Sequence, residues 1–183
     1  MAYFYCNRAE DNRRDPESIL KTLVQQLAQT SEAGKLLKPV VDLYQEREEK
    51  GQKASQLSIT ESQQLLVQLT DIHPQTTICI DALDEVEHGI RLKLLNVLKH
   101  IVNTSKNPVK IFATTRMDPD ILLQFETFPR IELQPDDNVS DINQFVESQL
   151  EKAIEEKQLL HGVVPSELKV EICNALCERS KGM

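Results

Sequence analysis

The chain has 183 residues, of which 40% are hydrophobic and 27% are charged, and its net charge is −8 at pH 7. This length fits a globular domain with a sizeable core, since a chain of this size buries roughly 70% of its unfolded surface. The acidic balance argues against a broad nucleic-acid or anionic-membrane surface. We find no apolar stretch of about 20 residues that could cross a bilayer, and no signal-peptide pattern, so we expect a cytoplasmic protein.

Predicted strands and helices alternate along the chain. Asp15 followed by Pro16 is typical of a helix start, with Asp as the N-cap. Thr60 to Gln63 has a capping-box pattern and predicts another start. Apolar spacing predicts strands at 3–6, 76–80, 109–116 and 130–133, with helices between them and two further helices after residue 139. We therefore expect an α/β fold with a parallel sheet, an α/β domain over residues 1–135, and the start of a helical subdomain over residues 136–183.

Three carboxylates follow the predicted strand 76–80 within five residues: Asp81, Asp84 and Glu85. Open α/β sheets bind their ligands at the carboxyl ends of the strands. There the first acid can hold a hydrated Mg²⁺, and a later acid can orient a water molecule or take its proton. The alternative is a strand that runs into an acidic, solvated turn.

The next predicted strand ends in Thr114-Thr115-Arg116. An arginine beside acids at one edge of a sheet fits a site for a metal-bound polyphosphate, with Arg116 on the phosphate oxygens. The alternative is an ion pair that only neutralises the acidic turn.

Four short segments, at 3–8, 19–27, 78–85 and 110–116, together resemble the NACHT domain, a STAND-class P-loop NTPase. The resemblance is nearest to the nephrocystin-like N-terminal NTPases of fungal receptor-like proteins. It implies Mg²⁺ and ATP (or GTP) as cofactors. It also implies that Asp81 is the Walker B acid that binds the metal and nucleotide, that Asp84 and Glu85 are the catalytic acidic pair, and that Arg116 is the sensor 1 arginine that reads the γ-phosphate.

The sequence departs from that family in lacking a P-loop. A P-loop needs G-x-x-x-x-G-K-[ST], and none of the five glycines stands in that pattern. In the family this motif precedes the strand matched by 3–6. The resemblance therefore implies a partial P-loop NTPase sheet of about four strands without the P-loop strand, helices on both faces, a C-terminal helical extension, marginal stability, and little hydrolysis by this chain alone.

Three functions remain open from the sequence. The first is a fragment of a nucleotide-dependent signalling switch, with nucleotide and a protein partner or a second copy as binding partners. The alternative is a non-enzymatic interaction or oligomerisation module that uses helices within 15–50 and 139–180. A third, an unrelated Mg²⁺-dependent phosphotransferase using Asp81 and Asp84, would need a nucleophile or a second acidic motif that we do not find at a strand end.

Overall fold

The computed structural model describes residues 1–29, 35–51 and 56–180. Its strands are β1 (Ala2–Tyr5), β2 (Thr76–Asp81) and β3 (Val109–Ala113). Its α-helices are α1 (Asp11–Arg14), α2 (Pro16–Ala28), α3 (Lys38–Glu49), α4 (Ile59–Ile72), α5 (His88–Thr104), α6 (Pro119–Gln124), α7 (Val139–Glu155) and α8 (Ser166–Ser180). Short 3₁₀ turns occupy Leu83–Glu85, Pro135–Asn138 and Leu160–Gly162.

The chain forms two compact units, Met1–Thr127 and Phe128–Met183. The first contains all three strands and α1 to α6, and the second contains α7 and α8. The expected α/β fold with a parallel sheet and a helical C-terminal part is therefore confirmed. The domain boundary expected between residues 135 and 136 stays a prediction.

The three strands run parallel in the order β1-β2-β3. Ile78 of β2 lies beside Ala2 of β1 and Ile111 of β3, and Ile80 lies beside Phe4. Ala2, Phe4, Ile78 and Ile80 are all buried, so one face of the sheet forms the floor of the core.

The strand order explains which face is covered. Both crossovers step in the same direction, from β1 to β2 and from β2 to β3, and parallel crossovers are right-handed. Two right-handed crossovers in the same direction place their helices on the same side of a sheet. The helices of these crossovers, α2, α4 and α5, accordingly pack against one another and contribute their apolar side chains to a single core.

The opposite face of the sheet is exposed. Tyr3, Tyr5 and Phe112 lie on it, and they are 48%, 55% and 65% exposed. Cys79 lies between Tyr3 and Phe112 in the register. The expectation of helices on both faces therefore differs from the structure over the residues that it describes, because a second covered face requires a reversal of strand order.

The predicted fourth strand at 130–133 is wrong. The structure shows no regular secondary structure there, and Ile131 and Leu133 are 85% and 77% exposed. The alternation of apolar and charged residues is present in the sequence, but a strand also needs a neighbour to accept its backbone hydrogen bonds.

The helix starts follow local hydrogen bonding. Asp15 caps α2 as predicted, because its carboxylate accepts from the Ser18 N–H at 2.9 Å and Pro16 follows it. The capping box of α4 is formed instead by Ser58, whose hydroxyl accepts from the Glu61 N–H, while the Glu61 side chain accepts from the Ser58 N–H at 2.9 Å. The predicted Thr60 cap is therefore wrong by two residues, since Thr60 already lies inside the helix.

The second unit is a helical hairpin of α7 and α8. An open cleft of about 740 Å³ lies along it, lined mostly by apolar side chains that include Phe145, Leu150 and Leu176. In the described ranges we find no helix that is both long enough and apolar enough to cross a membrane.

Candidate functional site

The acidic turn, residues 82–87, begins where β2 ends. Ala82 has φ 54° and ψ 51°, in the left-handed region, and this reverses the chain direction directly after Asp81. Leu83 and Val86 are 0% and 1% exposed and anchor the turn in the core. The turn therefore has a fixed shape, although it carries several charges.

Asp81 lies at the exposed end of β2, and the neighbouring strand end orients it. The Thr114 hydroxyl donates to Asp81 Oδ1 at 2.6 Å. The same hydroxyl oxygen accepts from the Ala82 N–H at 2.9 Å, and the Leu83 N–H donates to the Thr114 carbonyl at 2.8 Å. Thr114 thus joins the two strand ends and holds the Asp81 carboxylate in a defined direction.

Asp84 and Glu85 are neighbours with different environments. The Asp84 side chain is 7% exposed and that of Glu85 is 21% exposed. Asp84 Oδ1 accepts from the backbone N–H of Arg116 at 3.1 Å. Asp84 is therefore bonded to the backbone of the loop that carries Arg116, whereas the more exposed Glu85 accepts from the Arg8 N–H at 3.1 Å.

Two exposed arginines flank Glu85. Arg116 Nη2 lies 3.7 Å from Glu85 Oε1, and Arg8 Nε lies 3.7 Å from Glu85 Oε2. Arg116 also approaches Asp84, with Nε 3.6 Å from Oδ2. Their side chains are 82% and 65% exposed, so these are weak surface ion pairs worth about 0–1 kcal/mol. The Arg116 guanidinium can leave for a stronger anion at little cost, whereas Arg8 Nη2 also donates to the Asp84 carbonyl at 2.9 Å.

A third arginine, Arg91 of α5, lies beneath the acidic turn and is 2% exposed. Its guanidinium donates to the Asp84 carbonyl at 2.7 Å and to the Val86 carbonyl at 2.9 Å. It also donates to the Asp118 carboxylate at 2.8 Å and to that of Asp120 at 2.9 Å. A buried cation with this many partners is fully compensated.

The pKa shifts around the site follow from these contacts. Hydrogen bonds from Asp120 and Arg91 hold the pKa of Asp118 below its ordinary value, with burial opposing them. Burial, reinforced by the Asp81 charge, raises the pKa of the Cys6 thiol to about 12. Cys6 is 7% exposed, and its N–H donates to the Asp81 carbonyl, so it belongs to the buried base of the site.

The structure brings together all four residues that the sequence singled out, namely Asp81, Asp84, Glu85 and Arg116. The carboxylate oxygens of Asp81, Asp84 and Glu85 are hard ligands of the kind that Mg²⁺ prefers, and Mg²⁺ commonly takes one or two carboxylates together with waters and phosphate. Within the described ranges no group of three or more potential metal-binding side chains is assembled. The described residues therefore do not form a closed protein cage for a metal ion, and the carboxylates could supply only part of a coordination shell.

The sequence patterns did not predict the roles of Arg8 and Arg91 or the bridging role of Thr114. Arg91 had a signal: it is in phase with Leu94, Leu98 and Ile101, the buried stripe of α5. A charged residue in a buried stripe near the start of a helix predicts an internal ion pair. Arg8 had no such signal, because its contact depends on how the loop after β1 lies over the turn.

A protein-family model described as "Nephrocystin 3, N-terminal" matches residues 1–116. The matched range runs from β1 through Arg116 and so includes every candidate site residue. No curated protein and no solved structure matches the chain.

Proposed function

The chain belongs to the nephrocystin 3 N-terminal family, and we propose that it forms the Walker B and sensor 1 part of a NACHT-type nucleotide-dependent switch. In this proposal the chain binds Mg²⁺ and the terminal phosphates of ATP (or GTP) at the edge formed by the ends of β2 and β3. The observation that carries the proposal is the convergence of Asp81, Asp84, Glu85 and Arg116 at that edge.

In this proposal, the Asp81 carboxylate binds the Mg²⁺ ion. Asp81 is exposed at the strand end, and the hydroxyl of Thr114 fixes the orientation of its carboxylate. A carboxylate held by one hydrogen bond keeps lone pairs for a cation. Bound Mg²⁺ would neutralise phosphate charge there.

Arg116 has the properties of a phosphate sensor. Its side chain is 82% exposed, and it contacts Asp84 and Glu85 only at 3.6 to 3.7 Å. A phosphate offers the guanidinium a shorter, charge-assisted and bidentate contact. The backbone N–H of Arg116 can keep its bond to Asp84 while the side chain moves, so the turn need not rearrange.

The two acids then take different roles. Asp84 is nearly buried and accepts a backbone hydrogen bond, so in our proposal it fixes the turn and orients the site. Glu85 is partly exposed, and once Arg116 turns to a phosphate, Glu85 can accept a proton from an attacking water. Without P-loop N–H groups to hold the phosphates, we expect little hydrolysis by this chain alone.

The outer edge of β1 is closed by its own chain: the Gln26 side chain bonds both the N–H and the carbonyl of Tyr3, and Arg13 donates to the Tyr5 carbonyl. We propose that a P-loop strand and helix, supplied by another segment, pair beside β3 and cover the exposed face with Phe112.

A second candidate is a protein-interaction module. The cleft along α7 and α8 favours it, as do Phe145 and Val170, which are 65% and 58% exposed. The α2 part of that hypothesis is wrong, because Ile19, Leu20 and Leu23 are each 0% exposed in the core. A stable oligomer whose mass does not respond to nucleotide would favour this candidate.

Titration with a fluorescent ATP analogue, with and without Mg²⁺, tests the first proposal. We expect saturable, Mg²⁺-dependent binding that Asp81→Ala abolishes. The matched control is Asp42→Ala, which removes an exposed carboxylate paired with Lys38 in α3, outside the site. No binding up to about a millimolar, which corresponds to only about 4 kcal/mol, or equal binding by Asp81→Ala, would count against the proposal.

A further inference from the structure

We infer that Arg91 is a positioning residue whose buried guanidinium fastens the acidic turn to the start of α6. It thereby makes the loops that follow β2 and β3 a single rigid edge. The predicted effect of Arg91 on nucleotide binding rests on the proposed function. The fastening itself can be tested without any ligand.

One side of the guanidinium holds the acidic turn. Nη2 donates to the Asp84 carbonyl at 2.7 Å, and Nη2 and Nε both donate to the Val86 carbonyl, at 2.9 and 3.2 Å. Both acceptors are backbone atoms, so these bonds fix the backbone conformation of the turn and do more than neutralise the charge of one side chain. Asp84 and Val86 are themselves 5% and 1% exposed, so these bonds are shielded from bulk solvent, and the Asp84 carbonyl also accepts from Arg8 Nη2 at 2.9 Å.

The other side of the guanidinium holds the loop after β3. Nη1 donates to Asp118 Oδ2 at 2.8 Å and to Asp120 Oδ1 at 2.9 Å. The Asp118 N–H in turn donates to the Arg116 carbonyl at 2.7 Å. Arg91 is therefore linked to Arg116 through Asp118 on one side and to the Asp84 backbone on the other.

This geometry requires a planar, forked cation. One guanidinium reaches carbonyls on one loop and carboxylates on the other at the same time, whereas a lysine ammonium is a single point with three donors on a flexible stem. Lysine could keep the charge beside Asp118 and Asp120 but could not span both loops. The separation between Asp84 and Arg116 should therefore depend on the shape of residue 91, and not only on its charge.

The test is site-resolved amide hydrogen exchange on the nucleotide-free chain. We expect residues 82–87 and 114–118 to exchange at least about tenfold faster in Arg91→Lys, because local opening no longer breaks the Arg91 bonds. The helical segments 16–28 and 59–72 should keep their wild-type protection. The matched control is Arg47→Lys, which changes another largely buried arginine that pairs with Glu61 at 2.7 Å, away from the site. It should leave both loops unchanged.

A second variant covers the case in which Arg91→Lys does not fold. The Asp118 side chain is 25% exposed, and Asp118→Ala removes one bond on the α6 side of the link while Asp120 still neutralises the buried guanidinium. We expect faster exchange at 114–118 in this variant as well. Unchanged exchange in both loops, or a uniform increase across the loops and α2 and α4, would overturn the inference.

Nucleotide-binding measurements distinguish the positioning role of Arg91 from the proposed nucleotide-binding function. If wild-type chain binds the Mg²⁺–ATP analogue, Arg91→Lys should weaken that binding about tenfold or more while the far-ultraviolet circular dichroism is unchanged. Equal affinity would contradict the positioning role. If wild-type chain binds no nucleotide, the proposed function fails, and the exchange experiment still decides whether Arg91 fixes the two loops.

Discussion

Single residues in the acidic turn differ because of their backbone positions. Ala82 adopts a left-handed conformation that costs a non-glycine residue roughly 1–2 kcal/mol. The turn that follows directs Asp84 inward and leaves Glu85 partly exposed. The two adjacent carboxylates therefore differ in their exposure to solvent, and this difference comes from the turn that begins at Ala82.

Cys6 provides a prediction at the same scale. Its pKa is raised from 9.0 to about 12, mainly by burial. Since thiolate falls tenfold for each pKa unit, folded Cys6 should carry about a thousandfold less thiolate at pH 8 than the unfolded thiol. Alkylation followed by peptide mass spectrometry should find Cys6 protected in native chain and modified in urea.

The same shift has a consequence for stability. Because the folded-state pKa lies above the unfolded value, the neutral thiol contributes fully below about pH 9, and this contribution is lost as the pH rises toward about 12. The free energy of unfolding should fall less steeply over that range in Cys6→Ala. Equal slopes in the two chains, or rapid native alkylation of Cys6, would contradict the assignment.

At the scale of elements, the start of α4 gives the clearest test of the hydrogen bonding. Ser58→Ala removes the side-chain acceptor for the Glu61 N–H and should lower the free energy of unfolding by about 1 kcal/mol. Thr60→Ala changes an exposed residue inside the helix and should have almost no effect. Urea unfolding of the two variants gives the comparison. A loss of unfolding free energy in Thr60→Ala that equals or exceeds the loss in Ser58→Ala would contradict the assignment of Ser58 as the N-cap.

The sequence predicted most elements because their signals are local. The β-branched run that becomes β2, the Asp15-Pro16 start of α2 and the apolar stripe of α5 each depend on neighbouring residues only. The strand at 130–133 failed because pairing needs a distant partner. Asp81, Asp84, Glu85 and Arg116 could be grouped in advance, since parallel strands end at one edge. The roles of Arg8 and Arg91 required knowing how the loops meet.

At the scale of the whole molecule, strand order determines what is exposed. Two crossovers in one direction bury one face of the sheet and leave Tyr3, Tyr5 and Phe112 on the other. Parallel sheets usually have both faces covered. This exposed face is the one that the proposed completing segment would cover.

We expect this edge to distinguish a triphosphate from a diphosphate, because Arg116 would contact the terminal phosphate, and a competition titration of ATP against ADP in the presence of Mg²⁺ tests this expectation. We predict that the wild-type chain binds ATP more tightly than ADP, and that Arg116→Ala lowers ATP affinity to that of ADP while leaving ADP binding unchanged. Arg130→Ala, at an exposed arginine paired with Glu132 in the second unit, is the control. Equal affinities for ATP and ADP in the wild type, or an unchanged preference in Arg116→Ala, would contradict this expectation.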